Sequence, residues 1–185
     1  LLAALGADVL TVGPAGSRRL PVTDLGDGPM STVLEQGELI TRIVVPALDP
    51  NERASYIKFL PVTADDYATV SAGVRLRVEG SGDNAVIAAR VVCGAVGPVP
   101  VVCTGAADVL VGRPIAASDR YVGVADAVAA TLSPSTDHRG DADYKREMAG
   151  VMVRRALDRA LAADNGSEDC DEPYPRARSD PRRRG

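Results

Sequence analysis

Tryptophan is missing from this 185-residue chain, and phenylalanine and histidine occur once each. A core without large rings must be built from Ala, Val and Leu, which pack closely and offer few stacking surfaces. Each of the five tyrosines is therefore a point of interest. The three cysteines, Cys93, Cys103 and Cys170, are odd in number and lack CxxC spacing, which argues against a disulfide framework or a zinc knuckle and for buried or idle thiols. His138 has no serine or cysteine partner assignable by spacing and reads as a loop or helix-start residue. An excess of positive charge is also missing: 21 Lys and Arg against 25 Asp and Glu give a net charge of −4, no field for capturing nucleic acid or anionic membranes. No apolar run approaches the roughly 20 residues of a bilayer span, and the start lacks the basic, apolar, small-residue order of a signal peptide. The expected location is the cytoplasm.

What is present is an ordinary globular composition, 45% apolar and 25% charged, in a length that suits one core or one core and part of a second. The opening LLAALGADVLTV reads as a helix end already under way at Leu1, so residues are expected upstream of it. Strands follow at 9–12, after a Gly13-Pro14 turn at about 18–21, and, beyond a Gly/Pro-rich loop through Met30, at 39–45, where Pro46 ends the run. After ALDPNERA come a short strand in SYIKFL, a long one over 66–78, a turn at EGSGDN and a third over 86–95, which reads as an antiparallel meander. The pattern then switches to helical spacing in TGAADVLVG, ASDRYVGVADAVAATL and DADYKREMAGVMVRRALDRALAAD. In the last of these Ala149, Met152, Val153, Ala156, Leu157 and Ala160 form one apolar stripe. Three strands followed by three helices predict an α+β fold with the helices covering one sheet face. Residues 164–185 are polar, bear prolines and lack periodicity, and are expected to form a disordered tail.

Several motifs have a bland reading that outranks the sharp one. GSGDNA, at 80–85, has the loose G-x-G-x-x-A form of a dinucleotide fingerprint, but that motif needs a helix N-terminus next, and VIAARVV is a strand; a hairpin turn is the better reading. The Asn165 sequon is idle without a secretory signal, and RARSDPRRRG reads as a solvated tail. GAVGPVPVVC, with two glycines and two prolines, fixes a chain reversal that orients the first of the three helices. In TDHRGDADYKR, Asp137, Arg139, Tyr144 and Arg146 are expected to organise the start of the last helix, with Asp141 as its N-cap.

The stretch TADDYATVSAGVRLRV is the most pointed feature. Tyr67, Thr69, Ser71, Gly73, Arg75 and Arg77 alternate with Ala68, Val70, Ala72, Val74, Leu76 and Val78, the signature of a half-buried strand. Two aspartates and a tyrosine open it, and Lys58 lies on the preceding strand. Lys58, Asp65, Asp66 and Tyr67 can surround a planar polar ligand or form a charged hairpin tip, and residue types alone favour the tip.

Taken in order, GELITRIVVP, SYIKF, DDYATVSAGV, GAVGPVP and PSTDHRGDADYKREMAGVMVRRAL resemble the flavoprotein subunits of the molybdenum hydroxylases, namely the medium subunit of aerobic carbon monoxide dehydrogenase and the FAD-binding part of xanthine dehydrogenase. The resemblance covers about residues 1–161. It implies the end of an α/β FAD-binding domain at 1–50 and, at 51–163, a C-terminal domain of a three-stranded antiparallel sheet packed against three helices. It implies FAD as cofactor, with molybdopterin and the iron–sulfur clusters on a large and a small partner subunit, and electron flow from those clusters through FAD to a terminal acceptor. By the same resemblance, Ile40 packs near the isoalloxazine, Lys58 offers it a hydrogen bond or positive charge, Tyr67 covers a ring face, and Asp65 and Asp66 shape its potential and access. Tyrosine at position 67 is nearer the carbon monoxide dehydrogenase type than the xanthine dehydrogenase type, which has an aliphatic residue there. The family's two glycine-rich loops for the FAD pyrophosphate do not occur in these 185 residues, so the chain by itself is expected to be inactive and to retain less than a full equivalent of FAD. The rival expectation is a subunit-docking module with no flavin of its own.

Overall fold

The computed structural model describes residues 1–60, 67–79, 84–117, 119 and 121–162. A four-residue helix α1 (Leu2–Leu5) ends at Gly6, whose φ of 71° is the left-handed cap that glycine supplies readily. It leads into a small antiparallel sheet. Strands β1 (Asp8–Gly13) and β2 (Gly16–Pro21) form a hairpin around Pro14, and a later strand, β5 (Leu39–Val44), pairs on the other side of β1, giving the order β2-β1-β5. Between them, β3 (Gly26–Gly28) and β4 (Ser31–Thr32) make a separate two-stranded ribbon inside the loop expected from the sequence.

The second sheet carries the main core. Strands β6 (Glu52–Phe59), β7 (Val70–Val78) and β8 (Val86–Gly94) form the antiparallel meander, and β9 (Val101–Val102) adds a short edge strand. That fourth strand lies in GAVGPVPVVC. The chain reverses there, with Ala95 at φ 62°, and then returns for two ladder positions before helix α2 (Thr104–Leu110) begins. A two-residue ladder has no alternation to read, which is why the sequence showed the reversal and not the strand. The α+β class holds, with helices α2, α3 (Val124–Thr131) and α4 (Ala142–Ala162) on one face of the sheet.

The apolar side of β7, Val70, Ala72, Val74 and Leu76, meets the α4 stripe of Ala149, Met152, Val153, Ala156, Leu157 and Ala160, and all ten are buried. Hydrogen bonds tie the same layers: Ser55 Oγ donates to the Ala156 carbonyl at 2.6 Å, and Arg53 Nη1 donates to the Leu161 carbonyl at 3.0 Å, satisfying an acceptor in the last turn of α4. Cys93 and Cys103 sit in this core with their sulfurs 3.9 Å apart, as free thiols.

The other side of β7 departs from the half-buried expectation. Ser71 and Gly73 are buried as well, because α1 packs over them; a Cβ built on Gly73 would lie 2.9 Å from the Ala4 Cβ. Period-two alternation says which residues share a face, and small residues on the second face allow a helix to approach it.

Candidate functional site

The place where the first segment meets the second sheet is held by an arginine–carboxylate network. Arg75 Nη1 donates to the Leu5 carbonyl at 2.7 Å, and its Nη2 reaches Glu52 Oε2 at 2.5 Å. Arg77 Nη2 contacts Glu52 Oε1 and Asp49 Oδ2, each at 3.1 Å, and the Asp49 amide donates back to Glu52. Burial pushes the Glu52 carboxyl up, yet the bonds from Arg75 and the Asp49 amide outweigh it, so the group rests below the usual glutamate value. Charge-assisted bonds of this kind fix the end of α1 on β7.

A cleft of about 420 Å³ opens beside this clamp. Leu1, Leu2 and Val22 stand on one side, and Tyr56, Ser71, Gly73 and Gly94 on the other. The sheet side is flat because of its glycines: a Cβ on Gly94 would come within 2.6 Å of Ser71 Oγ. The volume falls in the range of about 300–1,000 Å³ typical of small-molecule sites, and flat apolar walls with a few polar groups suit a planar heteroaromatic ring.

Lys58 pairs with Ser71 in the β6–β7 ladder, and Tyr56 with Gly73, so both β6 side chains are on the cleft face of the sheet. Lys58 is exposed. The hairpin mouth closes where the Thr69 amide donates to the Phe59 carbonyl at 3.1 Å. Tyr67 precedes the first ladder residue, Val70, so strand alternation does not set its direction. The residue is 79% exposed, and Arg139, in the loop before α4, has its Cζ 5.5 Å from the ring centroid. Asp65 and Asp66 lie outside the described residues. Ile40 is 41% exposed on β5, in the other sheet, where it pairs with Thr11. The fold thus brings Lys58 and Tyr67 to one end of one hairpin and leaves Ile40 on a separate element.

The start of α4 is built much as the sequence implied. Asp141 Oδ1 accepts the Tyr144 amide at 2.7 Å, an N-cap to N3 bond, and Arg146 contacts both Asp143 and the Leu132 carbonyl. Lys145 was missed. It is 2% exposed, donates to the Ser135 carbonyl and to Asp137 Oδ2, both at 2.8 Å, and pins the preceding loop. The signal was its place four residues before Ala149 on the apolar stripe, a position a solvated lysine does not take. The hydrogen bond from Lys145, then that from the Arg139 amide, hold the Asp137 carboxyl below its usual range. His138 is exposed in the same loop.

A second cluster lies in the first sheet. Glu38 is bidentate to Arg18, with Nε to Oε1 and Nη2 to Oε2 both at 2.6 Å, and accepts bonds from Thr11 and from the Glu35 amide. These donors, Arg18 foremost, lower its carboxyl to about 2. Its role is to staple the loop before β5 to the β1–β2 hairpin. Among the described residues no group of three or more His, Cys, Asp or Glu is placed to hold a metal ion, and no helix is long and apolar enough to cross a membrane.

A helix-backed sheet whose other face takes α1, the start of a segment that continues into a small second sheet, with a ligand-sized cleft beside that helix, defines a two-part α+β binding fold. The particular family follows from comparison: the chain belongs to the CO dehydrogenase flavoprotein C-terminal domain family, whose model matches residues 55–160. A model described as the FAD binding domain in molybdopterin dehydrogenase matches residues 1–48, and FAD is the cofactor of such proteins. The chain is 37% identical over 164 residues to the carbon monoxide dehydrogenase medium chain of Afipia carboxidovorans, covering 88% of this chain and 54% of that one. It is 30% identical to the glyceraldehyde dehydrogenase medium chain of Sulfolobus acidocaldarius, over 85% of this chain and 54% of the relative. The fold superposes on carbon monoxide dehydrogenase from Hydrogenophaga pseudoflava with a TM-score of 0.79 at 35% identity, covering 87% of this chain and 54% of that chain. The chain therefore spans about half the length of the curated relatives it matches.

Proposed function

We propose that this chain is part of the FAD-binding subunit of a molybdenum-containing hydroxylase or dehydrogenase, an oxidoreductase of the cytoplasm. In this reading electrons arrive from iron–sulfur clusters on a small partner subunit, the molybdopterin centre resides on a large one, and a terminal acceptor takes the electrons from FAD. The observation that carries the reading is the cleft at the junction of the two segments, each of which matches a flavoprotein model. FAD supplies the redox chemistry when bound. The residues of this chain do the holding. Gly73 and Gly94 keep one wall flat and Ser71 adds a hydroxyl. Lys58 brings positive charge to the cleft face at the hairpin mouth, where Tyr67 offers a ring surface. Asp65 and Asp66, in the connection between them, moderate that positive charge, and Ile40 adds an apolar contact from the first segment. We divide the chain into residues 1–50 from the FAD-binding domain, 51–163 as the C-terminal domain, and 164–185 as a tail.

The test is a titration of the chain with FAD and, separately, with riboflavin, which lacks the pyrophosphate. Saturable quenching of flavin fluorescence by both, weakened by Lys58→Ala and abolished by Gly94→Val, is the expected result. Flavin emission and absorption that do not move at protein excess would overturn the reading.

A second reading, a subunit-docking module without flavin of its own, draws on the exposed apolar side chains of the first segment, Val12, Leu39 and Ile43 among them. Concentration-dependent self-association in sedimentation, together with no response to flavin, is the result that favours it.

A further inference from the structure

We infer that Tyr56 and Ser71 are the ring-binding pair of the cleft: the Tyr56 phenol stacks on the isoalloxazine of FAD, and the Ser71 hydroxyl hydrogen-bonds a nitrogen or carbonyl of the same ring system. The inference rests on the FAD reading above and assigns the ring contacts to two residues that line the cleft itself.

Three observations carry it. Tyr56 is the aromatic residue among those that line the cleft, and it is 37% exposed. It stands opposite Gly73 in the β6–β7 ladder, and a Cβ built on that glycine would lie 3.6 Å from Tyr56 Cδ2, so the ring leans over a position that has no side chain. Ser71 is 7% exposed and lines the same cleft, and its hydroxyl makes no hydrogen bond to a described residue. Its neighbour across the ladder is Gly94 on β8, and glycine there is what leaves the hydroxyl room. Finally, Tyr56 and Ser71 are diagonal neighbours across β6 and β7 on the cleft face, a separation of roughly 7–8 Å that one fused three-ring system spans.

A buried hydroxyl without a partner is a cost to the free chain, and the open cleft is the side from which a partner can arrive. The isoalloxazine brings what both residues need: a flat π surface for offset stacking and a polar edge of carbonyl and ring-nitrogen atoms. Leu1, Leu2 and Val22 line the opposite side and give the second ring face an apolar cover. A hydrocarbon ring would leave the Ser71 hydroxyl unpaired, and a saturated ring would forfeit the stack on Tyr56. The pair therefore selects for a heteroaromatic ring.

The experiment titrates the chain and its Tyr56→Leu, Tyr56→Phe and Ser71→Ala variants with FAD and with lumiflavin, which is the isoalloxazine with a methyl group in place of the ribityl chain. Melting curves of each free protein are recorded by circular dichroism. Tyr56→Leu should weaken both ligands roughly two- to ten-fold, the size of an aromatic pair, and relieve part of the quenching of bound flavin, while Tyr56→Phe keeps the ring and stays within about two-fold of wild type. Ser71→Ala should weaken both ligands by a similar factor, that of one hydrogen bond, and leave the melting temperature of the free chain unchanged or higher, because an unpartnered hydroxyl has been removed. A serine with a merely structural role would instead lose melting temperature and keep its affinity. Unchanged lumiflavin affinity in Tyr56→Leu or in Ser71→Ala would overturn the inference while leaving the FAD reading intact. If Tyr56→Leu unfolds, Tyr56→Phe and Ser71→Ala decide: a marked loss of lumiflavin binding in the first, or none in the second, counts against the inference. A wild-type chain that binds FAD and not lumiflavin also overturns it, since the ring is then not what the cleft holds. A wild-type chain that binds neither overturns the FAD reading, and the inference falls with it.

Discussion

Gly150 lies in the interior of α4, where glycine is normally a defect: alanine there should stabilise a helix by about 1 kcal/mol. The packing opposes this. A Cβ built on Gly150 would lie 2.9 Å from the Ala125 Cβ, 3.2 Å from its Cα and 3.6 Å from its carbonyl oxygen, and none of these atoms can swing away as a long side chain would. Carbon atoms pack best at about 3.5–4.0 Å, so α3 must retreat by several tenths of an ångström or more, and overpacking of this kind costs about 1–3 kcal/mol. The clash should outweigh the propensity gain, leaving Gly150→Ala destabilised by about 1 kcal/mol, or about 2–4 °C in melting temperature for a chain of this size. Ala125→Gly alone should lose about 1 kcal/mol of helix propensity. The double variant should return close to wild type, because the small residue has only moved to the other helix. Urea unfolding of the four proteins gives the coupling directly, expected at about 2 kcal/mol in favour of the double variant. A Gly150→Ala protein stabilised by the full propensity value, with no dependence on residue 125, would refute the claim that α3 and α4 cross through this glycine.

Other perturbations test other joints. Leu157→Ala, at a fully buried position of the α4 stripe, should cost about 2–5 kcal/mol and lower the urea midpoint; a loss under about 1 kcal/mol would show that the stripe is not packed on β7 as described. The Glu38 carboxyl is depressed from 4.5 to about 2 in the folded chain, so its stabilising effect is complete above the unfolded value and is lost as pH falls toward 2. Glu38→Gln should therefore melt lower than wild type at neutral pH, with the gap closing as pH falls through that window; a constant gap would contradict the Arg18–Glu38 assignment. Gly73→Val should lift α1 from the sheet, since its Cβ begins 2.9 Å from Ala4. Hydrogen exchange should then accelerate at the Leu5 and Ala7 amides, bonded to the Leu1 and Leu2 carbonyls, while those of α4 stay protected. Equal protection at Leu5 and Ala7 in both proteins would count against the docking.

The sequence by itself determined the features whose cause is local. The alternation after Thr69 set which side of β7 enters the core, the spacing from Ala149 to Ala160 set the buried stripe of α4, and Asp141 capped that helix because a carboxylate three residues before an amide reaches it without help from the rest of the chain. The ordered motifs also carried the flavoprotein family. What only the tertiary structure decided depends on residues far apart in the chain. Alternation marked Ser71 and Gly73 as one face and could not say that α1 covers it, since that burial comes from a helix about 70 residues upstream and is held by Arg75 on the Leu5 carbonyl. Lys145 looked like one more charge at a helix start until Ser135 and Asp137 closed around it. Tyr67 lies just before the ladder, where period two no longer governs direction, and its contact with Arg139 exists because two loops more than 70 residues apart meet at the same edge of the sheet. Local pattern fixes the face a residue belongs to, and chain closure fixes what that face meets.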